Sequence, residues 1–136
     1  MMQAMKTPLL TVYGISNCDT VKKARAWLTG HGLAYQFHDF KKQGVPTELL
    51  PQWLTQVGEP VLLNRKGTTW RKLDEATRAA VVDDSSATVL MLAQPSVIKR
   101  PVVLWPDQRI TAGFDAEKFA AHAAALALKA SPKILV

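Results

Sequence analysis

Residues 9–14 form an unbroken apolar, β-branched run between Pro8 and Gly14, the pattern of a buried strand. The period then lengthens. Val21, Ala24 and Leu28 fall at i, i+3 and i+7 with Trp27 beside them, which predicts a helix over residues 19–30. Gly30, His31 and Gly32 stop it. From 33 to 40 the pattern alternates, placing Leu33, Tyr35, Phe37 and Asp39 on one face of a second strand. Residues 41–46 read as a loop.

Four further helical patterns follow. Over 47–57, Leu50, Trp53, Leu54 and Val57 share a face, and Pro51 imposes a kink or a late start. Over 73–82 the acids Asp74 and Glu75 suit a helix start. The next helix runs to Gln94, with Ser85 or Ser86 as its cap and Pro95 as its stop. Asp115 is expected to cap a last helix from Ala116 to about Leu128. Between these two, residues 98–105 predict a strand interrupted by Lys99, Arg100 and Pro101, and residues 108–112 its hairpin partner. The order is β-α-β, three helices, then β-β-α. It predicts an α/β fold in which the opening unit supplies a parallel strand pair and the closing hairpin adds antiparallel strands.

At 136 residues, 48% hydrophobic and 21% charged, the chain suits one compact domain. No apolar stretch approaches the roughly 20 residues of a membrane helix. The first six residues lack the basic start and apolar segment of a signal peptide. A single cysteine fits a reducing compartment, and the cytoplasm is the expectation. The formal charge of +6 favours an anionic partner. Its cations come in scattered pairs, among them Lys41/Lys42, Arg71/Lys72 and Lys99/Arg100. That pattern and the lack of a nucleic-acid motif favour a small anion or a tripeptide thiol over direct nucleic-acid binding.

The single cysteine, Cys18, stands where the first strand hands over to the first helix. A helix N-terminus presents unpaired N–H groups and a partial positive charge, which bias a thiol toward the attacking thiolate. Lys22 and Lys23 lie a turn further on and favour the same form. Asn17 and Thr20 suit either capping of the helix or hydrogen bonding to the sulfur. Free cysteine is often only a small buried hydrophobe, but the polar flanks here favour a reactive one. A lone thiol cannot close an intramolecular disulfide, so redox chemistry at Cys18 must borrow a second sulfur. His31, His38 and His122 are scattered without metal-ligand spacing and read as structural; no metal site is expected. Trp70 reads as core.

The strand followed by Tyr13-Gly14-Ile15-Ser16-Asn17-Cys18, the helical middle and the phrase Ile98-Lys99-Arg100-Pro101-Val102-Val103 together resemble the ArsC/Spx family. Residues 14–24 and 64–73 are most similar to its YffB-like branch. The resemblance spans about residues 9–122 and implies a thioredoxin-like mixed sheet with an inserted helical subdomain. On that basis 9–40 and 97–122 form the thioredoxin-like part, about 46–95 the insert and 123–136 a tail. It also implies that Cys18 is the nucleophile and that Arg100 binds an oxyanion or the thiolate. Pro101 is then a cis proline that offers backbone polar groups to a peptide-like substrate. Glutathione, with glutaredoxin, would resolve the adduct on Cys18. Two positions depart from the arsenate reductase pattern. Asn64 stands where an anion-binding arginine is expected, with Arg65 next to it, and Gly113 lies near the register of another, with Arg109 four residues earlier. Val21 occupies the second position of the Cys-x-x-Cys switch carried by many Spx proteins, which excludes that switch here.

The expected function is a glutathione-dependent thiol oxidoreductase in which Cys18 attacks a sulfur or arsenic centre. Arg100, joined by Arg65, neutralises the anionic part of the substrate, and Asn17, Thr20, Lys22, Asn64 and Pro101 complete its contacts. Glutathione is a co-substrate, not a bound cofactor. The alternative is an Spx-like regulator that binds RNA polymerase without turnover.

Overall fold

A computed structural model describes residues 10–130 of the chain. Strand β1 (Leu10–Gly14) leads into helix α1 (Asp19–Gly30) and strand β2 (Tyr35–Asp39). Strands β3 (Val102–Leu104) and β4 (Ile110–Ala112) form the late hairpin, and α8 (Ala116–Ala130) closes the described chain. The four strands make one sheet in the order β2-β1-β3-β4. Val12 pairs in parallel with Phe37 and antiparallel with Val103, and Val103 pairs with Thr111. This is the mixed sheet that the order of elements predicts.

Side chains alternate across the sheet, so each face of β1 and β3 feeds a different core. Val12 and Val103 point to the side covered by α1 and α8, where they meet Ala24, Leu28, Trp105 and Phe119. Phe119 stands edge-on to Trp105 with ring centroids 5.2 Å apart. Tyr13 and Val102 point the other way, into a core shared with Leu50, Trp53, Leu62, Met91 and Ile98 of the helical middle. Val21, Ala24 and Leu28 of α1 are fully buried, as their spacing predicts. Val21 and Leu28 each contribute about 1.5–3 kcal/mol by leaving water, and the Ala24 methyl less.

The helical middle departs most from expectation. Half of the expected 41–46 loop is α2 (Phe40–Gln43), because the Asp39 carboxylate accepts the Lys41 N–H at 2.8 Å and starts a turn that buries Phe40. The helix expected over 47–57 takes the late start: a 3-10 turn at Thr47–Leu49 precedes α3 (Leu50–Val57), with Pro51 in its first turn. Two short helices, α4 (Glu59–Leu62) and α5 (Thr68–Lys72), have no counterpart in the expectation. The pattern over 73–82 contracts to α6 (Glu75–Ala79), capped by Asp74. The next helix, α7 (Asp84–Ala93), is capped by Asp83 rather than Ser85 or Ser86. Ser86 is instead the reciprocal partner: Asp83 Oδ1 accepts the Ser86 N–H at 2.9 Å, and the Ser86 hydroxyl accepts the Asp83 N–H at 3.0 Å.

The strand expected over 98–105 is also shorter. Ile98 forms only an isolated bridge with Leu63, and Lys99, Arg100 and Pro101 separate it from β3. Asp115 caps α8 as expected, its Oδ1 accepting the Lys118 N–H at 3.0 Å. Leu9 and the tail beyond residue 130 lie outside the described residues. No described helix is long and apolar enough to cross a membrane.

Candidate active site

Gly14 ends β1 in tight contact with α1. A Cβ there would stand 2.9 Å from a Val21 methyl carbon, so glycine permits the close approach of strand and helix. Buried Ile15 anchors the connection, and Cys18 then takes the N-cap position of α1 with extended backbone. Its carbonyl accepts the Lys22 N–H at 2.9 Å, but its side chain makes no capping hydrogen bond. Neither Asn17 nor Thr20 is seen in the capping role their types allow. The half-buried thiol therefore sits at the positive end of a helix of 12 residues.

A second element approaches from the helical middle. Asn64 donates its N–H to Val97 at 2.8 Å, and Lys99 donates to the Leu62 carbonyl at 2.8 Å, so residues 62–64 run beside 97–99. That pairing carries Asn64 to Arg100. The guanidinium of Arg100 is oriented by its own segment: Nη1 donates to the Ser96 carbonyl at 2.6 Å and to the Ile98 carbonyl at 3.3 Å. Its Nε is buried with no partner in the described chain.

These groups open on one cleft of about 430 Å³. Cys18, Thr20, Asn64, Lys99 and Arg100 line it, together with Thr111 to Asp115, Lys118 and Phe119. Of the residues singled out from sequence, the structure brings Cys18, Thr20, Asn64 and Arg100 together. Asn17 and Lys22 are exposed and do not line the cleft. Pro101 is buried behind it, after a cis Arg100-Pro101 peptide, as the resemblance implies. Its carbonyl accepts the Gly113 N–H at 2.8 Å, so that group is already engaged within the chain.

Arg65 is not part of the cleft. It pairs with Glu59 and lies over the Trp70 ring at 5.2 Å. Arg109 lies 3.5 Å from Asp107 and is also absent from the lining. Lys99 and Lys118, which sequence reasoning did not select, supply the remaining positive charge. Lys99 was legible only as one member of a basic pair, and Lys118 had no signal beyond its place in the last helix.

The histidines have other roles. His31 is hydrogen-bonded to the Trp27 carbonyl at 2.8 Å and His38 to the Gly44 carbonyl at 2.7 Å. His122 stacks on Trp105. Among the described residues no group of three or more His, Cys, Asp or Glu is arranged to hold a metal ion. The cleft thus combines one free thiol, one oriented guanidinium, two ammonium groups and one carboxylate, a net positive environment that suits an anionic group near the sulfur.

The ArsC family profile matches residues 13–122. An uncharacterized protein of Haemophilus influenzae is 41% identical over 113 residues, covering 83% of this chain and 97% of that protein. The global transcriptional regulator Spx of Streptococcus agalactiae is 28% identical over 115 residues, covering 83% of this chain and 82% of the regulator. Among solved structures, a YFFB protein superposes with a TM-score of 0.77 at 50% identity, covering 83% of this chain and 97% of that one. An arsenate reductase (ArsC) related protein of Brucella melitensis gives a TM-score of 0.67 at 49% identity, covering 87% and 97%.

Proposed function

This chain belongs to the ArsC family, and from that membership we propose that it is a thiol oxidoreductase with Cys18 as nucleophile and glutathione as resolving thiol. The observation that carries this reading is the placement of the sole cysteine at the start of α1, open to a cleft that it shares with Arg100. In the first step the Cys18 thiolate attacks one sulfur of a substrate disulfide. A Cys18–S bond forms, the substrate S–S bond breaks, and the other sulfur leaves as a thiolate with the bonding pair. In the second step a glutathione thiolate attacks the mixed disulfide, joins the substrate sulfur, and returns Cys18 as thiolate. A second glutathione thiolate then attacks the glutathione–substrate disulfide, giving oxidised glutathione and the second substrate thiolate, so the chain needs no second cysteine. Arg100 neutralises the anionic part of the substrate, Thr20 and Asn64 offer hydrogen bonds within the cleft, and a glutaredoxin completes the recycling of the glutathione adduct. A reducing compartment, the cytoplasm, suits this chemistry.

A disulfide substrate is favoured over arsenate because the cleft holds a single guanidinium. Asn64 carries no charge and Gly113 no side chain. The likeness to Spx favours a second reading, a regulator that docks on RNA polymerase through its surface.

Incubation with oxidised glutathione followed by mass spectrometry separates the two. The reading expects one glutathione adduct, absent from Cys18→Ser, and turnover of a small disulfide coupled to glutathione reductase. No adduct would overturn it, and retention on RNA polymerase without turnover would establish the regulator.

A further inference from the structure

We propose that Lys99, laid across Gly113 into the Cys18 cleft, selects thiols and disulfides that carry a carboxylate. This inference rests on the thiol oxidoreductase reading and names the substrate class of that site.

Residue 113 has φ +89°, a conformation that glycine adopts without the Cβ penalty. The missing side chain has a second consequence. An ideal Cβ at 113 would stand 2.8 Å from Lys99 Cε, with Cγ and Cδ at 3.6 and 3.8 Å. The methylenes of Lys99 therefore run through the space a side chain at 113 would take, and its terminal carbon is the closest part. The lysine backbone is fixed by its hydrogen bond to Leu62, and the N–H of Gly113 is fixed by its bond to Pro101. The crossing joins two anchored segments.

Arg100 and Lys99 divide the work by their tethering. The Arg100 guanidinium is committed through Nη1 to Ser96 and Ile98, and so sits at a fixed place. Lys99 is exposed and forms no ion pair among the described residues, where the pairs are Arg65–Glu59 and Arg109–Asp107. The one acidic residue of the lining, Asp115, has Oδ1 engaged by the Lys118 N–H. An ammonium without an ion-pair partner among the described residues, lining the same cleft as the thiol, attracts a thiol whose tail is anionic and does little for a neutral one.

The test compares glutathione, neutral 2-mercaptoethanol and cationic cysteamine as the thiol that resolves the Cys18 mixed disulfide. Each kcat/KM is expressed as the ratio to 2-mercaptoethanol and compared between proteins, which cancels intrinsic thiol reactivity. Lys99→Met is expected to lower the glutathione ratio roughly fivefold, chiefly through KM, and Lys99→Glu to lower it further while raising that of cysteamine. Lys99→Arg should restore most of the selectivity. Gly113→Ala, checked for folding by circular dichroism, should displace the lysine and shift the ratio in the same direction. Ratios identical in wild type, Lys99→Met and Lys99→Glu overturn this inference alone. Exchange with no thiol at all overturns the oxidoreductase reading and this inference together.

Discussion

The Arg65 guanidinium meets the Glu59 carboxylate at 2.5 Å, and the pair spans the turn from α4 toward α5 with Trp70 beneath the arginine. Arg65 thereby belongs to the helical middle and not to the thiol. The sequence neighbour that does reach the cleft is Asn64, and the two diverge because residues 64–67 form a turn closed by the Gly67 N–H on the Asn64 carbonyl at 3.2 Å. Arg65→Ala is expected to leave the proposed glutathione-linked turnover within about twofold. It should lower stability by no more than about 1 kcal/mol, the usual worth of a partly exposed ion pair with a cation–π contact. Steady-state kinetics and urea unfolding on the same preparation decide the matter, and a tenfold loss of rate would place Arg65 in the site.

Arg100 should behave oppositely. Its alanine variant removes the oriented guanidinium from the cleft and leaves the Ser96 and Ile98 carbonyls without their donor. Turnover is expected to fall about 10- to 100-fold, on the scale of losing one charge-assisted donor to a reacting anion. Arg100→Lys returns the charge but not the planar fork, so it should recover only part of that loss. Full activity in the lysine variant would show that charge alone matters there.

What was legible beforehand follows from how local each signal is. Strand β1, helix α1 and the thiol between them lie within one stretch of chain, where apolar period and a cap position suffice. Asp115 as the cap of α8 is equally local. Lys99 and Gly113 are fourteen residues apart and meet only through the β3–β4 hairpin, so no periodicity reports their contact. In the helical middle Gly44 ends α2 and Gly58 ends α3, and helix starts depend on single side-chain bonds such as Asp39 to Lys41. A serine pair also hid the true cap of α7. Ser86 is a partner in that cap, and the carboxylate one turn earlier holds it.

Asp74 and Asp83 cap α6 and α7, and their backbone and side-chain hydrogen bonds to Thr77 and Ser86 hold both carboxyls below the ordinary value of 3.8. A depressed folded-state value means that the unfolded chain binds the proton first. The stabilisation is therefore complete above about pH 4–5 and is lost as pH falls through the folded value. Asp83→Asn keeps an acceptor at the cap but removes the titrating charge. Thermal melts between pH 6 and pH 2 are expected to show a shallower fall of Tm in the variant. Parallel curves would mean that the Asp83 charge contributes nothing to the acid response.

His122 gives a second pH dependence. Its ring stacks on Trp105 at 5.1 Å and 17°, and its Nδ1 is buried without a partner in the described chain. Burial pushes the imidazole below its ordinary 6.5, Arg109 adds to that, and Asp107 opposes it. For a base held low in the fold, the unfolded chain gains its proton first as the pH drops through 6.5. Stability is then lost between that point and the lower folded value, and the loss levels off below it. His122→Phe preserves a ring against Trp105 and deletes the titration. Urea midpoints at pH 7.5 and 5.5 should fall further in the wild type than in the phenylalanine variant. An equal fall would show that His122 is protonated as readily inside the protein as outside it, and that the stack on Trp105 does not depend on a neutral ring.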